Sequence, residues 1–226
     1  MMRLKLILLA ISLIGCVKSV SFVEDVPSVF LERQQIVESS KLFKPKREVG
    51  KFAAEEPLNY RLPNDSIPMR YDLWLKTDVD KEIFGFSGRV VIRIKIVEPT
   101  QVITLHYRQI SIGKIDLRNS LGFVDTANLD FVYEPIVEFV RITLPNVKAV
   151  DEEWILNIEY EGNLREDGSG FYRASYLDKE TGTSVWFATT QFAMTDARHA
   201  MPCYDEPGIR AVMGLDIQHS KDYHAI

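Results

Sequence analysis

Cysteine and histidine are both scarce in this chain, with two Cys and four His among 226 residues. Cys16 belongs to the leader-like start, so Cys203 is the thiol of the body, and a single thiol closes no internal disulfide. Between Pro202 and Tyr204, in a semi-apolar run, Cys203 reads as a buried small hydrophobe. His106, His199, His219 and His224 include no pair spaced four apart, and no cysteine cluster or glycine-rich phosphate loop accompanies them. No G-x-S-x-G elbow presents a serine nucleophile. Positive charge is not in excess either: 27 Lys and Arg against 32 Asp and Glu leave a net charge of -5. That balance argues against a nucleic-acid binder, which needs a basic face. From spacing alone the chain carries no catalytic residue and no metal site.

What is present is ordinary globular material, 46% hydrophobic and 26% charged, with enough length for a sizeable core. The opening MMRLKLILLAISLIGCVKSV has a basic start at Arg3 and Lys5, an apolar stretch from Leu6 to Ile14, and small residues at Gly15, Cys16 and Ser19. This layout predicts a secretory signal peptide over 1–19. The apolar run, even extended to Val17, falls short of the ~20 residues a membrane span needs. Leu13-Ile14-Gly15-Cys16 also resembles a bacterial lipobox, in which Cys16 would be lipidated. Residues 20–58 mix charges with unperiodic apolar residues and read as a flexible stalk or propeptide, with a short amphipathic helix over Ser28 to Val37 as an alternative.

From residue 59 the texture becomes that of strands. Apolar residues recur at every second position in three runs: Tyr71, Leu73 and Leu75; Val90, Ile92, Ile94 and Ile96, with Arg93 and Lys95 on the opposite face; and Trp154, Leu156, Ile158 and Tyr160. Period-two alternation marks half-buried strands. Further strands are expected over Gln101 to Tyr107, Asp130 to Tyr133, Ile136 to Leu144, Ser184 to Thr189 and Ala211 to Ile217. Phe84-Gly85, Ile112-Gly113, Pro145-Asn146, Glu161-Gly162 and Asp167-Gly168 read as the turns between them. Residues 59–226 are therefore expected to be an all-β domain, an antiparallel or mixed sandwich or curved sheet. Asn64-Asp65-Ser66 is a glycosylation sequon at the start of that domain.

The densest stretch is TQFAMTDARHAMPCYDEPGIRA, residues 190 to 211. Thr195 or Asp196 is placed to cap a short helical turn through Arg198 and Ala200, which Pro202 ends. Asp196, Arg198, Asp205, Glu206 and Arg210 nearly balance in sign. Charges among apolar neighbours need partners, so these five read as a structural ion-pair knot that braces a loop.

Thr190-Gln191-Phe192-Ala193, Asp196-Ala197-Arg198 and Ala200-Met201-Pro202-Cys203-Tyr204-Asp205-Glu206-Pro207 together resemble the segment T-Q-F-E-x-x-D-A-R-x-A-F-P-C-x-D-E-P of the aminopeptidase N type of zinc exopeptidases, the gluzincin aminopeptidases. Arg61-Leu62-Pro63, Phe84 to Gly88, Leu156 to Gly162 and Gly170 to Arg173 carry the same resemblance, which spans Arg61 to Ile226. It implies the family's N-terminal β-domain, saddle-like, which packs on a zinc-bearing catalytic domain. The zinc ligands, general base and G-x-M-E-N loop of that family do not occur here, so the resemblance implies a non-catalytic fragment that ends within the β-domain, with zinc only in the full-length family. The family's Gln in this motif lines the first substrate pocket and carries over to Gln191. The acidic residue two positions on, which holds a peptide's terminal ammonium, is replaced by Ala193, so weak binding of peptide N-termini is implied. The expected location is secreted or at the outer face of the plasma membrane, with any membrane anchor outside the chain, and the expected partner is the missing catalytic domain. The alternatives are a stand-alone extracellular domain that binds a peptide or protein without chemistry, or a generic β-sandwich that shares only the scaffold.

Overall fold

In a computed structural model, residues 58–226 are described in full and residues 5–7 by their backbone. Apart from those three residues and Leu58, the expected leader over 1–19, the stalk over 20–58 and the helix alternative at Ser28 to Val37 lie outside the described residues. The described strands are β1 (Lys5–Ile7), β2 (Ser66–Asp78), β3 (Ile83–Ile96), β4 (Thr100–His106), β5 (Ile110–Asn119), β6 (Val124–Thr126), β7 (Phe131–Glu134), β8 (Phe139–Lys148), β9 (Glu153–Asn163), β10 (Gly170–Leu177), β11 (Ser184–Gln191), β12 (Val212–Gln218) and β13 (Tyr223–Ala225). Two short 3-10 turns, Val79–Lys81 and Ala197–His199, complete the regular structure of the described residues.

The main sheet runs in the order β12-β2-β3-β9-β5-β6, and a second sheet in the order β4-β8-β7. Strand β12 joins β2 in parallel, and all other neighbours in these two sheets are antiparallel, so the architecture is all-β and mixed. Alternation sets the register. Val90, Ile92, Ile94 and Ile96 of β3 are all fully buried, and Ile92 and Val90 stand opposite Leu156 and Ile158 of β9. Each such side chain removed from water stabilises the fold by ~1.5–3 kcal/mol, so slipping the pairing by one residue would turn the whole row to solvent. Ile103, Leu105, Val140 and Ile142 of the second sheet belong to the same buried cluster, which makes the two sheets a sandwich over one core.

Four of the five expected turns prove to lie inside strands. Gly85 and Gly162 are in β3 and β9, where Phe86 stands opposite Gly162. A Cβ on Gly162 would lie 2.5 Å from the Phe86 ring, so the glycine is there to let the ring lie flat on the neighbouring strand. Gly113 sits in β5 at a bulge between Ile112 and Lys114. Pro145 is in β8 where its pairing with β4 jumps from Thr143 to Lys148, so the missing N–H costs no ladder bond. Asp167-Gly168 is a turn, with Gly168 at φ +78° between β9 and β10.

Candidate functional site

The dense segment begins as the end of a hairpin. Strand β11 pairs antiparallel with β10, and this brings Gln191 opposite Gly170. The chain then turns sharply. Thr195 N–H and Asp196 N–H both donate to the Phe192 carbonyl, at 3.4 and 3.1 Å. Phe192 is buried as the anchor of the turn, while Gln191 and Met194 face solvent, Met194 with 78% of its surface exposed. Ala193 is half-buried. The Gln191 side-chain amide donates to the Ala193 carbonyl at 3.4 Å, which ties the two positions together. Thr195 is held at φ +126°, a conformation that β-branched residues rarely adopt.

From Ala197 onward the segment is sewn down. The expected helical turn is the 3-10 turn Ala197–His199; Asp196 occupies its N-cap position but makes no side-chain cap bond. Arg198 is the hub. Its Nε donates to Asp205 Oδ2 at 2.9 Å, Nη1 to Glu138 Oε2 at 2.9 Å, and Nη2 to the Asp205 carbonyl at 3.3 Å. Burial lifts the Asp205 carboxyl above its usual range, against the pull of the Arg198 guanidinium. Asp205 N–H in turn donates to His106 Nδ1 at 3.2 Å. His106 and Cys203 exchange backbone hydrogen bonds of 2.8 and 3.1 Å. Burial, helped by the Arg198 charge, lowers the His106 pKa to about 3, so this ring is neutral and serves as an acceptor. Cys203 is buried, and burial pushes its thiol well up.

Two further stitches run to the start of the domain. Tyr204 N–H donates to the Tyr71 hydroxyl at 3.0 Å, and the Tyr204 hydroxyl shares a 2.9 Å bond with Ser66. Glu206 accepts from Leu62 N–H at 2.6 Å and from Arg61 Nη1 at 3.0 Å. Of the five expected residues, Arg198 and Asp205 pair with each other, and Arg198 and Glu206 also draw partners from outside the segment. Glu138 and Arg61 come from elsewhere in the sequence, Asp196 lies 3.4 Å from His199 Nδ1, and Arg210 is exposed and makes no ion pair with a described residue. His199 is itself buried, and burial with the nearby Arg165 and Arg108 charges lowers its pKa.

Spacing did not single out Glu138 or His106. Glu138 lies between β7 and β8 at φ +60°, and its other oxygen takes Arg108 at 2.6 Å. A lone polar side chain at the end of an apolar strand, as in TLHY, was the available signal for His106. Of the remaining expected positions, Asn64 is exposed just before β2, His219 is half-buried, and His224 is exposed. Among the described residues no three His, Cys, Asp or Glu side chains converge where they could hold a metal ion, so zinc does not fit these residues. No described helix is long and apolar enough to cross a membrane.

A family model described as the peptidase M1 N-terminal domain matches residues 67–226. The chain belongs to the peptidase M1 family by its N-terminal domain. Human aminopeptidase N is 31% identical over 176 residues, covering 74% of this chain and 18% of that protein. Aminopeptidase A of Gloydius brevicauda is 35% identical over 170 residues, covering 74% and 17%. Membrane alanyl aminopeptidase of Manduca sexta is 33% identical over 181 residues, covering 73% and 18%. The chain thus spans less than a fifth of the length of these relatives, and its likeness to them is that of part of an aminopeptidase.

Proposed function

We propose that residues 59–226 act as the non-catalytic N-terminal domain of a zinc aminopeptidase that removes N-terminal residues from peptides, and that Gln191 and Ala193 form part of its substrate wall. The observation that carries this reading is the contrast inside one segment. Arg198, Asp205, Glu206 and their partners fix the loop, while Gln191 and Met194 are left facing outward on a turn anchored by buried Phe192. A neutral amide and a methyl group at 191 and 193 offer an incoming peptide hydrogen bonding and room, but no negative charge for its ammonium. The zinc and the groups that activate its water would come from sequence not contained in this chain. Secretion or display at the cell surface, with a leader over 1–19, a stalk over 20–58 and a glycan on exposed Asn64, belongs to the same proposal.

A charge-assisted hydrogen bond contributes ~1.5–3 kcal/mol, which corresponds to about tenfold to a hundredfold in affinity. In the full-length protein, Ala193→Glu is therefore expected to lower KM for aminoacyl substrates about tenfold, read from initial rates over a substrate series. An unchanged KM would remove Ala193 from the substrate wall.

A further inference from the structure

We propose that the solvent face of the main sheet carries a binding trough for a neutral oligosaccharide, a site separate from the loop at Gln191. Two adjoining clefts of about 640 and 420 Å³ share Ser87, Ser111 and Glu161 and so form one continuous depression across β2, β3, β9 and β5. Cross-strand register places its side chains in two rows. Trp74, Arg89, Glu159 and Lys114 lie abreast in one, and Lys76, Ser87, Glu161 and Ser111 in the next.

Trp74 is the first sign of a ligand. The chain's other two tryptophans pack against the core and carry cations on their rings, Lys148 at 3.6 Å from the Trp154 centroid and Arg173 at 5.6 Å from that of Trp186. Trp74 alternates with buried Leu73 and Leu75, so it stands half-buried on the opposite, outward face. A large, half-exposed ring set beside Arg89, Glu159, Ser87 and Ser111, with Ile112 and Tyr160 also in the lining, presents stacking area that the fold does not use. The second sign is unspent polarity. Arg89 and Glu159 are direct cross-strand neighbours, yet neither they nor Glu161 makes an ion pair with a described residue. Their hydrogen-bonding capacity stays open toward the trough.

Two features narrow the ligand's chemistry. The floor is made of central strands whose backbone groups are already paired on both sides, so a peptide cannot bind here by adding a strand. Positive Arg89 and Lys76 alternate with negative Glu159 and Glu161, so a strongly anionic or cationic ligand meets repulsion wherever it lies. What remains favoured is a neutral, hydroxyl-rich chain. The apolar face of a sugar ring stacks on Trp74, and its hydroxyls donate to Glu159 and Glu161 and accept from Arg89, Ser87 and Ser111 as charge-assisted or neutral hydrogen bonds.

The test is titration calorimetry on the full 226-residue chain with cellohexaose, mannohexaose, maltohexaose and chitohexaose in turn. A heparin hexasaccharide and a lysine-rich decapeptide serve as charged probes. At least one neutral hexasaccharide is expected to bind. Trp74→Ala is expected to weaken it by about tenfold or more, and Glu161→Gln to weaken it by a smaller factor, with the thermal midpoint unchanged in both. No binding by any neutral hexasaccharide overturns the proposal. So does binding that Trp74→Ala leaves intact, or selective binding of either charged probe. The outcome is independent of the aminopeptidase reading, because none of these residues belongs to the loop at Gln191.

Discussion

Residues 191–195 and 197–206 are adjacent in sequence but differ in what holds them. The second stretch is fixed by side chains from β2, from the end of β4, from the β7–β8 turn and from Arg61. Beyond the ladder position of Gln191, the first is held by the buried Phe192 ring, two backbone bonds to its carbonyl and the Gln191–Ala193 bond, and Gln191, Met194 and Thr195 are exposed. The lesson is that charge density in a sequence can mark what braces a loop rather than the part of it that faces solvent. Arg198, Asp205 and Glu206 serve the fold, and Gln191 and Met194 beside them are exposed.

That contrast can be broken most directly at Arg198. Its side chain is 9% exposed and that of Asp205 10%, so removing the guanidinium strands a buried carboxylate. Arg198→Met is expected to destabilise the domain by ~3–5 kcal/mol in urea unfolding. A loss below ~1 kcal/mol would mean the hub is no brace. By comparison, the Arg61 partner of Glu206 is 69% exposed, and an ion pair so open to water is worth only ~0–1 kcal/mol.

Acid sharpens the same comparison with a smaller effect. His106 takes up a proton near pH 6.5 when unfolded but only at about 3 in the fold. Between those values the unfolded chain binds more protons, so stability rises with pH across that window and is lost as pH falls through it. The urea midpoint is expected to drop steadily as acid is added below neutrality. His106→Gln, whose amide oxygen still accepts from Asp205 N–H, should flatten the slope. An identical slope in the variant would assign the acid sensitivity elsewhere. The smallest effect is expected on the other side of the contrast. Gln191→Ala and Met194→Ala should each shift stability by less than ~0.5 kcal/mol, as exposed positions do. A larger loss would show that the outward turn is itself structural.

Much of this fold was legible because alternation is a direct record of which face is buried. The run from Val90 to Ile96 shows it: Val90, Ile92, Ile94 and Ile96 are fully buried, while Val91, Arg93 and Lys95 between them are half-buried on the other face. Strand β5 escaped because the bulge at Gly113 shifts its parity. Ile110 and Ile112 lie on even positions, while Ile115 and Leu117 lie on odd ones, so no single alternation spans the element. Strand β10, GFYRASYL, has no alternation to find. A glycine in sequence signals a turn, yet it also lets one strand approach a neighbour's ring, as Gly162 does under Phe86. At the loop, the need for partners was readable from the charges themselves. Which partners was not, because Glu138 and Arg61 are 60 and 145 residues away from the acceptors or donors they meet.

Those separations also govern when the domain can finish forming. Arg61, Leu62, Ser66 and Tyr71 await contacts 145, 144, 138 and 133 residues further along. A ribosome adding ~5–20 residues per second needs on the order of ten seconds to supply them. During that interval nascent β2 lacks these partners, and β-domains closed by such distant contacts are slow to fold once released.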